Sequence, residues 1–370
     1  MGSKLKQSVK QTKKFNSKDS RGHIQKTMKT KILKPEEIDI AAEIIRKGGI
    51  VGFPTETVYG LGADALNSKA IEKIFKAKGR PQDNPLIVHI SSLKQLKKLT
   101  CSIPKKAYKL AKAFWPGPLT IILKKSKIVP DNVTAGLKTI AIRMPSDPIA
   151  HALIEKSGTP IAAPSANTSG KPSPTHHTHV IEDLKGKVDA IIEGGYVKIG
   201  VESTVIDLTK TIPSILRPGR ITPRMVQQKI GFVSIFSKIR SNISRPASPG
   251  MKYRHYSPKA KVLLVPSSTK QNEITRKIAR KEVDAGRKVM VLSRRKGRLK
   301  GGKWIFLGEK IIDMSRKVFD AFRKADNEKF DVIIVEGTRE TGMGLAIMNR
   351  LKKAASLIVT NELFEEKYKD

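Results

Sequence analysis

Cysteine is almost missing from this chain of 370 residues: Cys101 stands alone. A single thiol excludes an intramolecular disulfide and a cysteine-built zinc site, and it suits a reducing, cytoplasmic compartment. Acidic residues are also scarce, 33 against 72 Lys and Arg, which leaves a formal net charge of +39. Such a field favours polyanionic partners such as nucleic acid, nucleotides or an anionic membrane surface, while basic tails account for part of the excess. No apolar run approaches the ~20 residues that a membrane helix needs. The N-terminus is basic without the apolar core of a secretory signal. There is no Walker-type phosphate loop, no GxGxxG followed by a downstream acid, no Ser-His-Asp signature and no solenoid repeat. Aromatic residues make up only 5%, yet a hydrophobic content of 39% over this length is enough for two ordinary domains.

The most informative stretch runs from Gly48 to Ile90. Ile50 to Phe53 is a short apolar run between Gly48-Gly49 and Pro54, which suits a buried strand. Thr55, Glu56, Thr57 and Tyr59 then form a polar loop, and Gly60 and Gly62 let the backbone turn tightly or approach a ligand. Asn67 or Ser68 can cap a helix whose apolar face is Ala70, Ile71, Ile74 and Phe75. Gly79-Arg80-Pro81 ends that helix with a cation, and Leu86 to Ile90 reads as a second strand containing His89. Hydroxyls at a strand end and cations on a turn compose an anion site; the same pattern also describes a well-packed structural turn.

Elsewhere helices are expected at Glu36 to Lys47, Lys105 to Phe114 and Pro148 to Lys156, and a helix with a weak strand at Thr222 to Lys238. Strands are expected at Thr120 to Lys124, Thr139 to Met144, Ile161 to Ala163, Ala190 to Glu193 and Thr204 to Leu208. This mixture predicts an α/β domain with an open, twisted mixed sheet over residues 32–238. Residues 1–31, with ten Lys or Arg and one Asp, read as a disordered basic arm. Residues 239–258 read as a Pro-rich linker or lid, and 259–370 as a second, smaller Rossmann-like α/β domain. In that domain EGTRETGMGLAIMNRLKKAA places glycines just before a helix, where anions can bind.

Several strings occur in one order: GGIVGFPTETVYGLGADALNSKAIEKIFKAKGRPQDNPLIVHI, FWPGPLTIIL, TIAIRMPS, APSANTSGKPSPT, GVESTVID, ILRPGRIT and PGMKYRHYSP. Together they resemble the YrdC-type family of threonylcarbamoyl-adenylate synthases in its two-domain form, strongly over Ile38 to Arg220 and more loosely over Pro249 to Ala355. The resemblance implies a concave, positively charged groove that joins L-threonine, bicarbonate and ATP into threonylcarbamoyl-adenylate and pyrophosphate. The product is used to modify the adenosine beside the anticodon of certain tRNAs by a downstream transferase machinery.

What the resemblance implies for residues follows the three parts of the substrates. For threonine and its carbamate the candidates are Thr57, His89, Arg143, as a bidentate carboxylate clamp, and Ser203. Residues alone leave Thr57 open to a turn role and His89 to a core role; the resemblance favours binding for both. For the triphosphate the candidates are Lys78, Arg80 and Arg217, with Asn84 and Thr139 beside them. For the adenosine they are Ser165, Asn167 and Ser173, covered by Tyr256 and His255 of the linker. The chemistry is adenylyl transfer, which rests on positioning and charge neutralisation, so no covalent catalytic residue is expected. Mg²⁺ is expected to enter with ATP, held by phosphates and not by a carboxylate cage. His176, His177 and His179 lie beyond the shared motif, on a segment expected at the surface, and are set aside as a metal site.

Two other readings fit parts of the sequence. One is a non-catalytic module that grips double-stranded RNA or tRNA through its basic groove and arm. The other is the related maturation factor for hydrogenases, which carries cysteine zinc fingers that a chain with only Cys101 cannot supply.

Overall fold

A computed structural model describes residues 29–235 and 258–368. Most of the basic arm, nearly all of the linker, and with it His255 and Tyr256, lie outside the described residues. The first part of the chain carries strands β1 (Lys31–Leu33), β2 (Val51–Phe53), β3 (Gly60–Asp64), β4 (Ile87–His89), β5 (Leu119–Lys124) and β6 (Thr139–Arg143). It continues with β7 (Ile161–Ala163), β8 (Ala190–Ile192), β9 (Thr204–Asp207), β10 (Ser214–Arg217) and β11 (Ser234–Ile235). Among the described residues these form one open mixed sheet in the order β1-β8-β2-β3-β7-β4-β6-β5-β9-β10-β11.

Helices α1 (Ile38–Arg46), α2 (Ser68–Lys78), α3 (Leu93–Leu99), α4 (Lys105–Phe114), α5 (Asp131–Thr134), α6 (Pro148–Ser157), α7 (His177–Leu184) and α8 (Pro223–Ile230) cover it. Their limits follow local chemistry. Asn67 accepts from the backbone N of Ala70 at 3.1 Å to open α2, and Gly79, in the left-handed region at φ 59°, closes it. Asp147 accepts from the backbone N of Ile149 and Ala150, with Pro148 at the first position of α6. Apolar side chains pack on both faces of the sheet: Ile71, Ile74, Leu110 and Ile142 on one, Ile45, Phe53, Leu153 and Ile161 on the other.

Two local expectations need correction. Gly60 to Asp64, read as the end of a polar loop, is strand β3, paired antiparallel with β2 and β7. The glycines are there because of what they face: a Cβ on Gly62 would stand 2.7 Å from the Phe53 ring and 2.6 Å from Ile161. The histidine segment is helix α7, and His179 is buried, with Nε2 3.0 Å from Asp320. Its partner comes from the far end of the chain, which local sequence does not reveal. The first strand also begins at Lys31, where Lys31 pairs with Ala190, at the end of the segment read as the arm.

The second part is a parallel sheet of β12 (Lys261–Val265), β13 (Val289–Ser293), β14 (Lys303–Phe306), β15 (Val332–Glu336) and β16 (Leu357–Ile358). The strand order is β14-β13-β15-β12-β16. Helices α9 (Gln271–Asp284), α10 (Ile311–Asn327), α11 (Met343–Ala354) and α12 (Asn361–Tyr368) flank it. Ile199 and Val201 of the first domain are packed into its core with Met314 and Val318. Gly200 passes so close to α10 that a Cβ there would meet the carbonyl of Ser315 at 2.2 Å. Arg323 of α10 donates Nη2 to Asp183 Oδ2 at 2.9 Å and to the carbonyl of Pro172 at 2.6 Å. The domains thus meet across a seam that is both apolar and charge-paired.

Candidate active site

The cleft forms where the strand ends of the mixed sheet leave a concave surface under the Ser165–Pro174 loop. It encloses about 670 Å³ open to solvent and is lined by Thr55, Thr57, Tyr59, Arg80, His89, Arg143, Ser165, Asn167, Lys171, Ser173, Glu202, Ser203 and Arg217 among others. These residues come from well-separated stretches of chain, and nine of the sequence candidates are among them: Thr57, His89, Arg143, Ser203, Arg80, Ser165, Asn167, Ser173 and Arg217.

Side-chain bonds set the loop after β2. Thr55 donates its hydroxyl to the carbonyl of Val58 at 2.7 Å and accepts from the backbone N of Thr57 at 3.2 Å. With that hydrogen used, the 2.9 Å contact between Thr57 and Thr55 runs from Thr57 to Thr55. Thr57 in turn accepts from Arg143 Nη1 at 2.9 Å. The other terminal nitrogen of Arg143 lies 2.7 Å from Glu56 Oε2, in an ion pair with both side chains 4% exposed. Arg143 is therefore a guanidinium fixed in place by Thr57 and Glu56 while it lines the cleft. His89, next to it, is buried, and its Nδ1 has no well-aligned partner among the described residues. Burial first, and the charge of Arg143 second, hold its imidazole neutral with a pKa lowered to about 3.

Ser203 shares a 2.7 Å hydrogen bond with Thr120, the register partner of Arg143 on β5, and accepts from Arg217 Nη2 at 3.1 Å. Arg217 Nε is fastened to the carbonyl of Ser203 at 3.0 Å, and Arg80 Nη2 to that of Asn84 at 3.2 Å. The roof is built by Ser165, which donates to Asn167 Oδ1 at 2.5 Å, and by Ser173, which donates to Glu202 Oε1 at 2.6 Å. Tyr59, whose phenol burial pushes its pKa up, donates to the carbonyl of Gly195 at 2.8 Å. Four cations line the cleft (Arg80, Arg143, Lys171 and Arg217) against one carboxylate, Glu202.

Three predicted residues stand elsewhere. Lys78 is buried behind the roof, and its ammonium donates to the carbonyls of Ser165 and Asn167. Burial, then the nearby Arg80, push its pKa well down, so it braces the loop instead of facing the cleft. Asn84 is also fully buried, its side-chain amide without a partner among the described residues. Thr139 opens β6 opposite Lys124, four positions from Arg143 and so about 13 Å along the strand. Neither Asn84 nor Thr139 lines the cleft.

Sequence reasoning missed Thr55, Tyr59, Lys171 and Glu202 as cleft-lining residues. Glu202 had a signal: an acid next to Ser203 in a chain poor in acids. Burial alone would raise its pKa, but Arg350 and Arg217, with the Ser173 hydroxyl, hold it down at about 2. Glu202 is thus ionised and committed to its partners.

The chain is similar to known proteins over most of its length. Residues 43–219 match the family described as "Telomere recombination", and residues 221–356 match "Threonylcarbamoyl-AMP synthase, C-terminal domain". The threonylcarbamoyl-AMP synthase of Pyrococcus abyssi is 50% identical, over 86% of this chain and 94% of its own length. That of Bacillus subtilis is 46% identical, over 86% of this chain and 93% of its own length. A crystal structure of P. abyssi Sua5 complexed with L-threonine superimposes with a TM-score of 0.85 at 47% identity, covering 90% of this chain and all of that one.

Proposed function

Because the chain belongs to the two-domain threonylcarbamoyl-AMP synthase family, we infer that it makes threonylcarbamoyl-AMP from L-threonine, bicarbonate and ATP. The amine of threonine bonds to the bicarbonate carbon, with loss of water, to give a carbamate. A carbamate oxygen then bonds to the α-phosphorus of ATP while the bond to the β-bridging oxygen breaks and pyrophosphate departs. In class the step is nucleotidyl transfer.

One observation supports the reading: an oriented guanidinium with hydroxyls and a neutral imidazole lines the same cleft as further cations and small polar groups. Arg143, aligned by Thr57 and Glu56, takes the threonine carboxylate. His89, kept neutral, offers Nδ1 to the amino acid without competing for its carboxylate. Ser203, bonded to Thr120 on the strand beside Arg143 and to Arg217, is the hydroxyl that meets the carbamate as it approaches the phosphorus. Arg80, Arg217 and Lys171 neutralise the triphosphate and the departing pyrophosphate; such fixed charge is worth most in a water-poor site. Ser165, Asn167 and Ser173 face the adenosine.

Mg²⁺ enters as the MgATP complex. Glu202, the carboxylate of the cleft wall, is already bonded to Ser173 and Arg350, and Glu56 is paired with Arg143, so the phosphates would be the metal's anionic ligands. The product, an activated carbamate, must next pass to a transferase acting on tRNA.

Mass spectrometry of the product from threonine, bicarbonate, ATP and Mg²⁺ tests the reading. Threonylcarbamoyl-AMP and pyrophosphate should form together. Pyrophosphate release that continues unchanged without threonine defeats it.

A further inference from the structure

The second domain carries a crevice that the proposed reaction does not use. In its sheet the chain leaving β13 runs to β14 on one side, and the chain leaving β15 runs to β16 on the other. β13 and β15 are neighbours, so their carboxyl ends part at a topological switch point, where open parallel sheets take up ligands. The crevice lies there, about 1390 Å³ open to solvent, between the loops that follow β12, β13 and β15.

Its lining is strongly polar. Arg294, Arg295 and Arg339 supply three guanidinium groups against the single carboxylate of Glu336, and Ser267, Ser268 and Thr269 add hydroxyls. Helices α9 and α11 begin after these loops, and their N-cap residues, Lys270 and Gly342, make no side-chain cap bond among the described residues. Their N-terminal partial charges favour an anion.

A second observation points to a ligand. Glu336 is 3% exposed. Its Oε2 accepts from Ser293 at 2.6 Å and from Arg295 Nη1 at 3.0 Å. Its Oε1 is buried and has no partner among the described residues, and Glu336 is one of the residues that line the crevice. A buried carboxylate oxygen without a donor is costly and is rarely left so without a role. A ligand in the crevice that reached this carboxylate with a hydroxyl would supply the donor it lacks.

We propose that this crevice binds a hydroxyl-bearing phosphomonoester, its phosphate against Arg294, Arg295 and Arg339 and a hydroxyl donating to Oε1 of Glu336. The phosphate alone would satisfy the cations and leave the carboxylate oxygen bare. A neutral polyol would do the reverse. The site belongs to the second domain and is independent of the synthase reading.

Calorimetric titration of the full chain with ribose 5-phosphate, with inorganic phosphate and with ribose tests it. Ribose 5-phosphate should bind at least about tenfold more tightly than either fragment. The double variant Arg295→Ala/Arg339→Ala should weaken it at least tenfold, while Arg80→Ala, in the cleft of the first domain, should leave it unchanged. Arg339 is exposed, so Arg339→Ala alone retains the fold and should still weaken binding severalfold. Binding lost in Arg80→Ala but kept in the double variant overturns the proposal, as does no binding to the wild type at millimolar ligand. Equal affinity for ribose 5-phosphate and inorganic phosphate removes the role of Glu336.

Discussion

Arg350 of helix α11 donates Nε to Glu202 Oε2 at 2.9 Å, and the other oxygen of that carboxylate accepts from Ser173 in the roof of the cleft. A residue of the second domain therefore holds a wall of the first domain's site. Arg350 also donates to the carbonyl of Pro218 and is 1% exposed. Arg323 adds a parallel tie to Pro172, on the same roof loop. The second domain is thus part of the cleft's architecture.

Arg350→Ala should leave Glu202 charged and buried without its partner. Breaking such a pair costs on the order of 3–5 kcal/mol. Denaturant melts should show that loss together with a raised KM for ATP. The double variant Arg350→Met/Glu202→Gln should recover part of the stability, since no lone buried charge remains; a fully additive double variant would show that the two are not coupled.

His89 makes stability depend on pH. Its folded pKa of about 3 lies below the ordinary 6.5. Between those values the unfolded chain binds more protons, so this contribution is complete above pH 6.5 and is lost as pH falls towards 3, with a slope of up to about 1.4 kcal/mol per pH unit. Glu202, depressed from 4.5 to about 2, adds its own loss only below pH 4.5. His89→Gln should flatten the stability curve between pH 6.5 and 4.5 and leave only the Glu202 share of the fall below it. An unchanged slope in the upper window would deny the buried neutral imidazole.

Arg143→Lys keeps the charge beside Glu56 but removes the planar fork. Steady-state kinetics should show the threonine KM raised about 30-fold or more, the weight of about 2 kcal/mol lost at a buried charge pair, with the ATP KM within a few-fold of wild type. Equal increases for both substrates would reject its assignment to threonine.

Lys78→Met fills the same buried channel but cannot donate to the Ser165 and Asn167 carbonyls. Two acceptors are left bare, at about 1–3 kcal/mol each. The expected result is a roof loop that exchanges amide hydrogen faster, with a raised KM for ATP and an unchanged KM for threonine. Hydrogen exchange no faster at 165–174 would show that the loop holds itself.

How much of this was legible in the chain divides by range. Helices α2, α4 and α6 were readable because apolar spacing, the Asn67 cap and the Gly79 stop of α2 act within a few residues. The cleft residues Thr57, Arg143, Ser165, Ser203 and Arg217 were readable because they sit in strings specific enough to carry a family's chemistry. Strand β3 was not, because Gly60 and Gly62 look like a turn until Phe53 is packed against them. Lys78 was read as a phosphate ligand because a Lys near a basic turn gives no sign of which way it is buried.

The amino-acid order alone determined the two α/β units through residue type and short spacing, and through strings that resemble a known family it carried the expected chemistry and most of the cleft residues. Only the tertiary structure decided which charges face ligand and which face protein. Glu202 and Arg350 are separated by 148 positions, and no local pattern encodes a bond made only when two domains close upon each other. The same holds for Oε1 of Glu336, whose lack of a donor is a property of packing and not of sequence.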